Sequence, residues 1–440
     1  MNYPCGNLLV NMYLKELNEL DRNDNPIKVG VVGAGSMGTG VCWQIGRTPG
    51  MRLTFVADKL LNNAVNAAKT VGLDIRELPS SHNPEPFDGV WVGDECLKAI
   101  ELLDVDVLVE CSNSISDALQ YCLSAIYRKS HVVLMNAEVD LAYGRYMRYE
   151  AERMGVIVTS DGGDQHGVLM TMIEEIKLWD FKIVQAGNIK GFLNRYATAE
   201  SLLEEAAKRR LNPIQCCAYT DGTKLNIEMA LVSNGTGLNS PKRGMTGPPC
   251  DDVREVLDLF DFKNCLNTGC IDYVLGAQPG GGVYVVGYCD DPSQMPYLSY
   301  YKLGNGPYYL FYRPYHLCHL ETPITIAKAV LFNSPVLQQL YKTSDVFTFA
   351  KRDIMAGEIV HHGIGGDQFY GLVDSSELGD NENLVPITAV EVDKHDAGKI
   401  TRDIKKDEPI TWEDLELPDS YMKDMRLKQA EADNQHMRSQ

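Results

Sequence analysis

Cationic charge is scarce in this sequence. Against 60 Asp and Glu stand 41 Lys and Arg, a formal net charge of −19 over 440 residues. Phosphate backbones and anionic bilayer surfaces are bound by clustered Lys and Arg, so neither a nucleic acid nor a membrane is an expected partner. No apolar run is long enough to span a bilayer. The opening "MNYPCGNLLV" lacks the basic stretch of an export signal, and the polar "NELDRNDN" follows it. The expectation is a cytoplasmic protein. The twelve cysteines have no regular spacing. "HLCH" (His316, Cys318, His319) and "CLNTGC" (Cys265, Cys270) are the densest groups, and neither has paired zinc-ligand spacing. Reduced structural thiols are expected, and no metal.

What is present is ordinary in bulk, at 44% hydrophobic and 23% charged residues. The length suggests two to three domains. The strongest local signal is "IKVGVVGAGSMGTGVCWQIGRTPGMRLTFVADK". A β-branched run leads into Gly33, Gly35 and Gly38 in G-x-G-x-x-G spacing, and a helix follows. The first glycine permits a tight turn, the second lets a diphosphate approach the backbone, and the third lets helix and strand pack closely. Ser36 and Met37 lie inside the turn, where helix N-terminal amides face phosphate. "LTFVAD" ends at Asp58, where a carboxylate binds a ribose 2′-hydroxyl. This reads as a dinucleotide site for NAD or NADP, with NAD favoured because Asp58 repels a 2′-phosphate. Lys59 beside it offsets this in part, and a plain turn role for Asp58 stays open.

Alternation continues through "DVDVLVECS", "ISDALQYCLSAIYRKS", "HVVLMNAEVD", "AYGRYMRYEAERMG" and "VIVTSDGGDQ", read as strand, helix, strand, helix, strand. The expected fold class is α/β, a doubly wound sheet whose strand ends bind ligands. Cys111, Ser112 and Asn113 lie at one strand end, Asn136 and Glu138 at the next, and these join the cofactor-binding candidates. Asp164 and Gln165, at a third, are substrate-binding candidates.

"DGTKLNIEMA" places Asp221 three residues before Lys224, and Glu228 four after it. At helical period the three share one stripe at the edge of an apolar face. A surface ion pair is one reading of Lys224, a working lysine the other. Lys190 follows the strand "KIVQAG" and is either a solvated loop residue or a second working lysine. Residues 161 to about 320 lack the βα rhythm. "YRPYHL" supplies Arg313, the natural fork for a carboxylate or phosphate, and His316, able to bind substrate or carry a proton. Each also has a structural alternative, an ion pair for Arg313 and a core histidine for His316.

The order of elements resembles the homoserine dehydrogenase superfamily, in which a nucleotide domain precedes a catalytic domain and a late helix returns to the first. "SDGGDQHG", "DGTKLNIEMALVSNGTGL", "YYLFYRPYHL", "ETPITIAKAVL" and "AKRDIMAGEIV" are similar to the subgroup with a C-terminal SAF domain. That subgroup includes the deoxyxylulose-phosphate reductoisomerase-like enzyme and sugar-acid oxidoisomerases. The resemblance covers roughly residues 25–420. It implies a Rossmann domain over 1–160, with a helix near 321–333 packing back on it. A catalytic domain over 161–341, a small β-rich SAF-like domain over 342–420 and a polar tail over 421–440, frayed helix or disorder, would follow. It implies an NAD(P)-dependent oxidoreductase acting on a small polyhydroxylated acid or sugar phosphate, in carbohydrate or isoprenoid metabolism, with hydride transfer coupled to skeletal rearrangement. Plain alcohol dehydrogenation and a non-catalytic nucleotide sensor are the alternatives. A homo-oligomer is expected. Lys224 and Asp221 correspond to the lysine and carboxylate that homoserine dehydrogenases use around the reacting carbon, although their longer acidic segment is here "AYTDGTK". Lys190 matches a lysine of the SAF-bearing subgroup, and Glu228 joins the substrate-binding candidates. "FTFAKRDIMAGEIVHHGI" and "AGKITRDIKKDEPITWEDLEL" share an internal echo, R-D-I then a spacer and an acid. His361 and His362 read as surface residues.

Overall fold

Short β-branched runs bounded by glycine become the strands of a parallel sheet. The computed structural model describes residues 12–79, 85, 87–209, 211–360, 362–391, 397–418 and 421–437. Contacts divide the chain into two units. One comprises residues 1–136, 147–163 and 317–336; the other comprises 137–146, 164–316 and 337–440.

The first unit holds β1 (Ile27–Val32), β2 (Met51–Ala57), β3 (Ile75–Glu77), β4 (Val90–Gly93), β5 (Val107–Glu110), β6 (His131–Leu134) and β7 (Val158–Ser160). Their order is β3-β4-β2-β1-β5-β6-β7, and every pairing is parallel. The chain reverses its winding between β1 and β5, the switch point at which open α/β sheets bind ligands. Helices α1 (Met12–Arg22), α2 (Ser36–Ile45), α3 (Leu61–Lys69), α4 (Cys96–Leu102) and α5 (Ile115–Tyr127) alternate with these strands, and α6 (Ala137–Met154) is shared between the units. The "HVVLMNAEVD" reading needs correction here. Its strand stops at Leu134, and Ala137 onward is helix, because Glu138 and Asp140 suit a first turn. The helix Cys318–Phe332, α13 in chain order, packs on α2 so closely that a Cβ on Gly40 would lie 2.7 Å from His319 Cγ. Its Ile326 and Ala327 join the core formed with Val29, Val31 and Val41.

The second unit opens with α7 (Gln165–Leu178), β8 (Lys182–Lys190), α8 (Leu203–Arg209), α9 (Pro213–Thr220), α10 (Thr223–Thr236) and α11 (Val256–Leu259). Then come β9 (Cys270–Leu275), β10 (Val283–Tyr288), α12 (Met295–Tyr300) and β11 (Tyr308–Arg313). The sheet runs β11-β10-β8-β9, with β8 and β9 parallel and the other pairs antiparallel. Every residue of α10 from Thr223 to Gly235 is buried, so this helix has no solvent face. Its polar groups must be satisfied internally. Asn234 does so by donating to Gln339 and the Ser344 carbonyl while accepting from the Thr343 and Ser344 amides.

Downstream lie β12 (Ser344–Ala350), β13 (Phe369–Ser375), α14 (Ser376–Asn381), β14 (Lys399–Ile400), β15 (Leu415–Glu416) and α15 (Tyr421–Met437). β12 and β13 pair antiparallel. The sequence echo becomes a local two-fold clip. Ile354 and Ile404 exchange backbone hydrogen bonds of 2.9 and 2.8 Å. Arg352 pairs with Glu358 and Arg402 with Glu408, at 2.8 and 3.2 Å. Each aspartate caps the other copy: Asp353 accepts from the Lys406 amide and Asp403 from the Ala356 amide, both at 2.9 Å. His362 sits 3.6 Å from Glu391 with its side chain 44% exposed, and His361 lies outside the described residues.

The tail is not frayed over its described part. α15 buries Met425, and Asp433 takes both the Nε and Nη2 of Arg145 at 2.7 and 3.1 Å. Gln429 accepts from the Tyr146 amide at 3.0 Å. Composition alone reads such a segment as polar, because the partners that order it lie nearly three hundred residues away.

Candidate functional site

In the first unit the glycine turn has the geometry its spacing requires. Gly33 has φ +86, and a Cβ there would lie 2.5 Å from the Ser112 amide. A Cβ on Gly38 would lie 1.9 Å from the Gly33 carbonyl. One on Gly35 would meet nothing within 4 Å, so open space lies over the helix N-terminus where a diphosphate would rest. Gly35 is the N-cap of α2 without a side-chain hydrogen bond, which leaves its first-turn amides, including those of Ser36 and Met37, for an anion. The residues present therefore fit a dinucleotide. Asp58 accepts from the Ala34 amide at 2.7 Å, from the Leu60 amide at 2.9 Å and from Asn63 at 3.2 Å. It braces the turn and keeps acceptor capacity, since a carboxylate offers about four lone-pair positions. Lys59 is paired with Asp117 at 2.5 Å. Across the switch point Ser112 donates its amide to Glu110 at 2.8 Å, Cys111 is half-buried and Asn113 exposed. Burial pushes the Cys111 thiol well up. Asn136 is buried and donates to the Ser114 carbonyl at 3.2 Å.

The second unit gathers the ionisable candidates, but not in the predicted pairing. Asp221 is the C-cap of α9, and Gly222 with φ +89 turns the chain before α10 starts at Thr223. The break takes Asp221 off the stripe. Its Oδ1 accepts from the Thr223 amide and its Oδ2 from Lys351, both at 2.8 Å. Lys224 instead donates to Glu138 at 3.0 Å, with side chains 9% and 21% exposed. Glu138, expected beside the cofactor, is thus the partner of the lysine. The pairing follows from helix termini. A carboxylate in the first turn of α6 is favoured by that helix, whereas a cation in the first turn of α10 is disfavoured and needs a counter-charge. Burial pulls the Lys224 ammonium down, but Glu138, Tyr219, Asp164 and Glu228 outweigh it and hold the pKa above the ordinary lysine value. Lys224 is a fixed cation.

Glu228 lies one turn further along α10, fully enclosed. Burial, Asp164 and Glu138 push its carboxyl up to about 8 against the opposing pull of Lys224 and Lys190. Asp164 N-caps α7, accepting from the Gln165 amide at 2.8 Å. Burial raises its pKa, yet His166, Lys224 and His316 together leave it below its ordinary value. Gln165 accepts a short hydrogen bond from Asn188. Lys190 is the last residue of β8. His316 presents Nδ1 to the Gly281 carbonyl at 2.7 Å. A carbonyl only accepts, so Nδ1 carries a proton in this contact. Arg313 ends β11 with its guanidinium 4.7 Å from the Tyr315 ring centroid.

Two residues in this neighbourhood escaped the sequence reading. His166 is 2% exposed, 4.0 Å from Asp164, and among the described residues neither ring nitrogen has a hydrogen-bond partner. Burial lowers its pKa against the opposing pull of Asp164. It stands inside the quoted "SDGGDQHG", two residues after a helix cap, the only signal available. Lys351, the partner of Asp221, stands inside the quoted "AKRDIMAGEIV", with nothing in its spacing to mark it.

Residues 163–322, about a third of the chain, match the family described as "Oxidoreductase DRL, catalytic domain". Among curated proteins none matches the sequence. A probable dehydrogenase from Thermotoga maritima is similar in structure at 13% identity, over 70% of this chain and 90% of that one, with a TM-score of 0.39. A myo-inositol dehydrogenase from Corynebacterium glutamicum aligns at 12% identity over 60% and 73%, with a TM-score of 0.38. The 1-deoxy-D-xylulose 5-phosphate reductoisomerase from Zymomonas mobilis, solved with NADPH, aligns at 16% identity, TM-score 0.33, over 46% of this chain and 57% of its own. No residue role follows from overlaps this shallow.

Proposed function

We propose that this protein is an NAD(P)-dependent oxidoreductase acting on a CH–OH group of a small polyhydroxylated acid or sugar phosphate, with hydride transfer coupled to isomerisation. The observation that carries the reading is Lys224, a buried lysine paired with Glu138, its charge favoured by Glu138, Tyr219, Asp164 and Glu228. A stability-driven sequence has little reason to bury such a cluster, because ionic groups out of water are weak sources of stability. The glycine turn at Gly33–Gly38 supports the cofactor, and the match to an oxidoreductase catalytic domain supports the reaction class.

Bound at the turn, the dinucleotide would supply or accept the hydride. The chain's own residues handle charge and protons. Lys224 donates a hydrogen bond to the reacting oxygen and stabilises negative charge there. Its raised pKa makes it a poor base, so proton exchange falls to a group that titrates near neutrality. Glu228, pushed up to about 8, is that group. Lys190 and Arg313 hold the anionic end of the substrate, and His316 presents Nε2 to a substrate hydroxyl. Coupling to isomerisation and the sugar-like substrate rest on the resemblance of the sequence motifs. No helix among the described residues is long and apolar enough to cross a membrane; a cytoplasmic homo-oligomer remains our expectation.

The test is reduction of NAD+ and NADP+ by a panel of sugar acids and sugar phosphates, with products identified by NMR. A rearranged carbon skeleton is the expected product. A simple ketone would make the protein a plain alcohol dehydrogenase, and no turnover with any substrate would favour a nucleotide sensor.

A further inference from the structure

Lys351, at the entry to the C-terminal clip, is enclosed, with its side chain 2% exposed. Its Nζ reaches the Asp221 carboxylate at 2.8 Å, the Ala197 carbonyl at 2.9 Å and the Gly366 carbonyl at 2.7 Å. An ammonium has three hydrogens, and all three are used. Asp221 is fully enclosed too. The second observation is where these partners lie. Asp221 caps the start of α10 through the Thr223 amide, one residue before Lys224. Ala197 belongs to the loop that leaves β8 after Lys190. That loop is fastened again where the Tyr196 hydroxyl reaches Asp407 at 3.0 and 2.9 Å, and where the Asn194 amide reaches the Thr220 carbonyl at 2.8 Å. The first turn of α10 is also tied to β13. Thr223 Oγ1 accepts from the Gly371 amide at 2.9 Å, and Asn226 Oδ1 from the Val373 amide at 2.8 Å.

We propose that Lys351 is a positioning residue for the site, holding the segments that carry Lys224 and Lys190 in one arrangement through Asp221 and the Ala197 carbonyl. The inference rests on the proposed role of Lys224. It makes the clip part of the catalytic apparatus, and it recasts Asp221 as a residue that acts through Lys351 and the Thr223 amide rather than on substrate. A buried pair retained at a node between four segments fits a specifying role better than a stabilising one.

Stability and positioning separate in a paired substitution. Lys351→Met alone strands a buried carboxylate and should lower Tm sharply. Lys351→Met combined with Asp221→Asn leaves no uncompensated charge, and the Asn carbonyl still caps Thr223, so Tm should recover most of the loss. The link to Ala197 and Gly366 stays broken. The expected result is a kcat at least tenfold below wild type in the double variant, with dinucleotide Kd unchanged. A kcat that recovers together with Tm would overturn the proposal. Should the double variant remain unfolded, Tyr196→Phe decides: its ring is 41% exposed, and loss of the hydroxyl should cut kcat several-fold at unchanged Tm. An unchanged kcat there overturns the proposal equally. Lys224→Met is run alongside. If that variant turns over normally, the reading of the site itself has failed, whatever Lys351 does.

Discussion

At the scale of single residues, the proposed mechanism turns on the ion pair between Lys224 and Glu138. A lysine whose pKa lies above the ordinary value gives up its proton only when the substrate oxygen takes it, so its chief contribution is a fixed positive field. Lys224→Met keeps length and removes charge. It should lower kcat by on the order of a hundredfold or more while dinucleotide affinity holds. Tm should fall too, because Glu138 keeps its charge without a partner; steady-state kinetics and thermal melts on one preparation test both. Glu228 makes a prediction in pH. Its folded-state pKa, about 8, lies above the ordinary 4.5. Between those values the folded chain holds a proton the unfolded chain has released, so stability falls as pH rises through the interval and the loss is complete above it. Glu228→Gln removes the titration. The variant should gain stability relative to wild type from pH 5 to pH 9; parallel melting curves at the two pH values would expose a flat difference if Glu228 is ionised throughout.

Elements set what each residue can reach. The turn from β1 into α2 exposes amides at Gly35, and β2 delivers Asp58 to brace it from below. We expect NAD(H) to bind at least several-fold tighter than NADP(H), because the carboxylate opposes a 2′-phosphate and Lys59 is already engaged by Asp117. Asp58→Ala should narrow that gap and weaken both cofactors through loss of the brace. Equal affinities in the wild type, measured by fluorescence titration, would remove Asp58 from the site. The end of β11 makes a parallel case. Arg313 stacks on Tyr315, which orients its fork, and lysine can reproduce neither the plane nor the two parallel donors. Arg313→Lys should cut kcat/KM by roughly tenfold to a hundredfold, a few kcal/mol at most, with cofactor Kd unaffected. Normal turnover in that variant would leave Arg313 structural.

For the molecule as a whole, long-range polar contacts matter more than composition suggests. The polar composition of the tail would leave it solvated and free, yet Arg145 captures Asp433 in a bidentate pair with side chains 15% and 14% exposed. Arg145→Ala should cost about 2 kcal/mol through loss of charge-assisted hydrogen bonds, read as a lower urea midpoint. It should also raise hydrogen exchange along α15. Unchanged exchange there would mean that the helix is held by its apolar contacts, Met425 foremost.

The α/β class, the strands of the first unit and the glycine turn were legible from the chain alone, since each is written in local strand-and-helix patterning and in glycines whose backbone no other residue can copy. The echo of R-D-I was legible as a repeat, though not as two halves pairing across Ile354 and Ile404. Partner choice was not legible. Helical spacing set Asp221 beside Lys224, but one left-handed glycine between two helices sent the aspartate to Lys351 and left the lysine to Glu138, 86 residues upstream. Local periodicity encodes which way a side chain points along one element. Which charge meets which is an interaction across elements, and only their packing in three dimensions settles it.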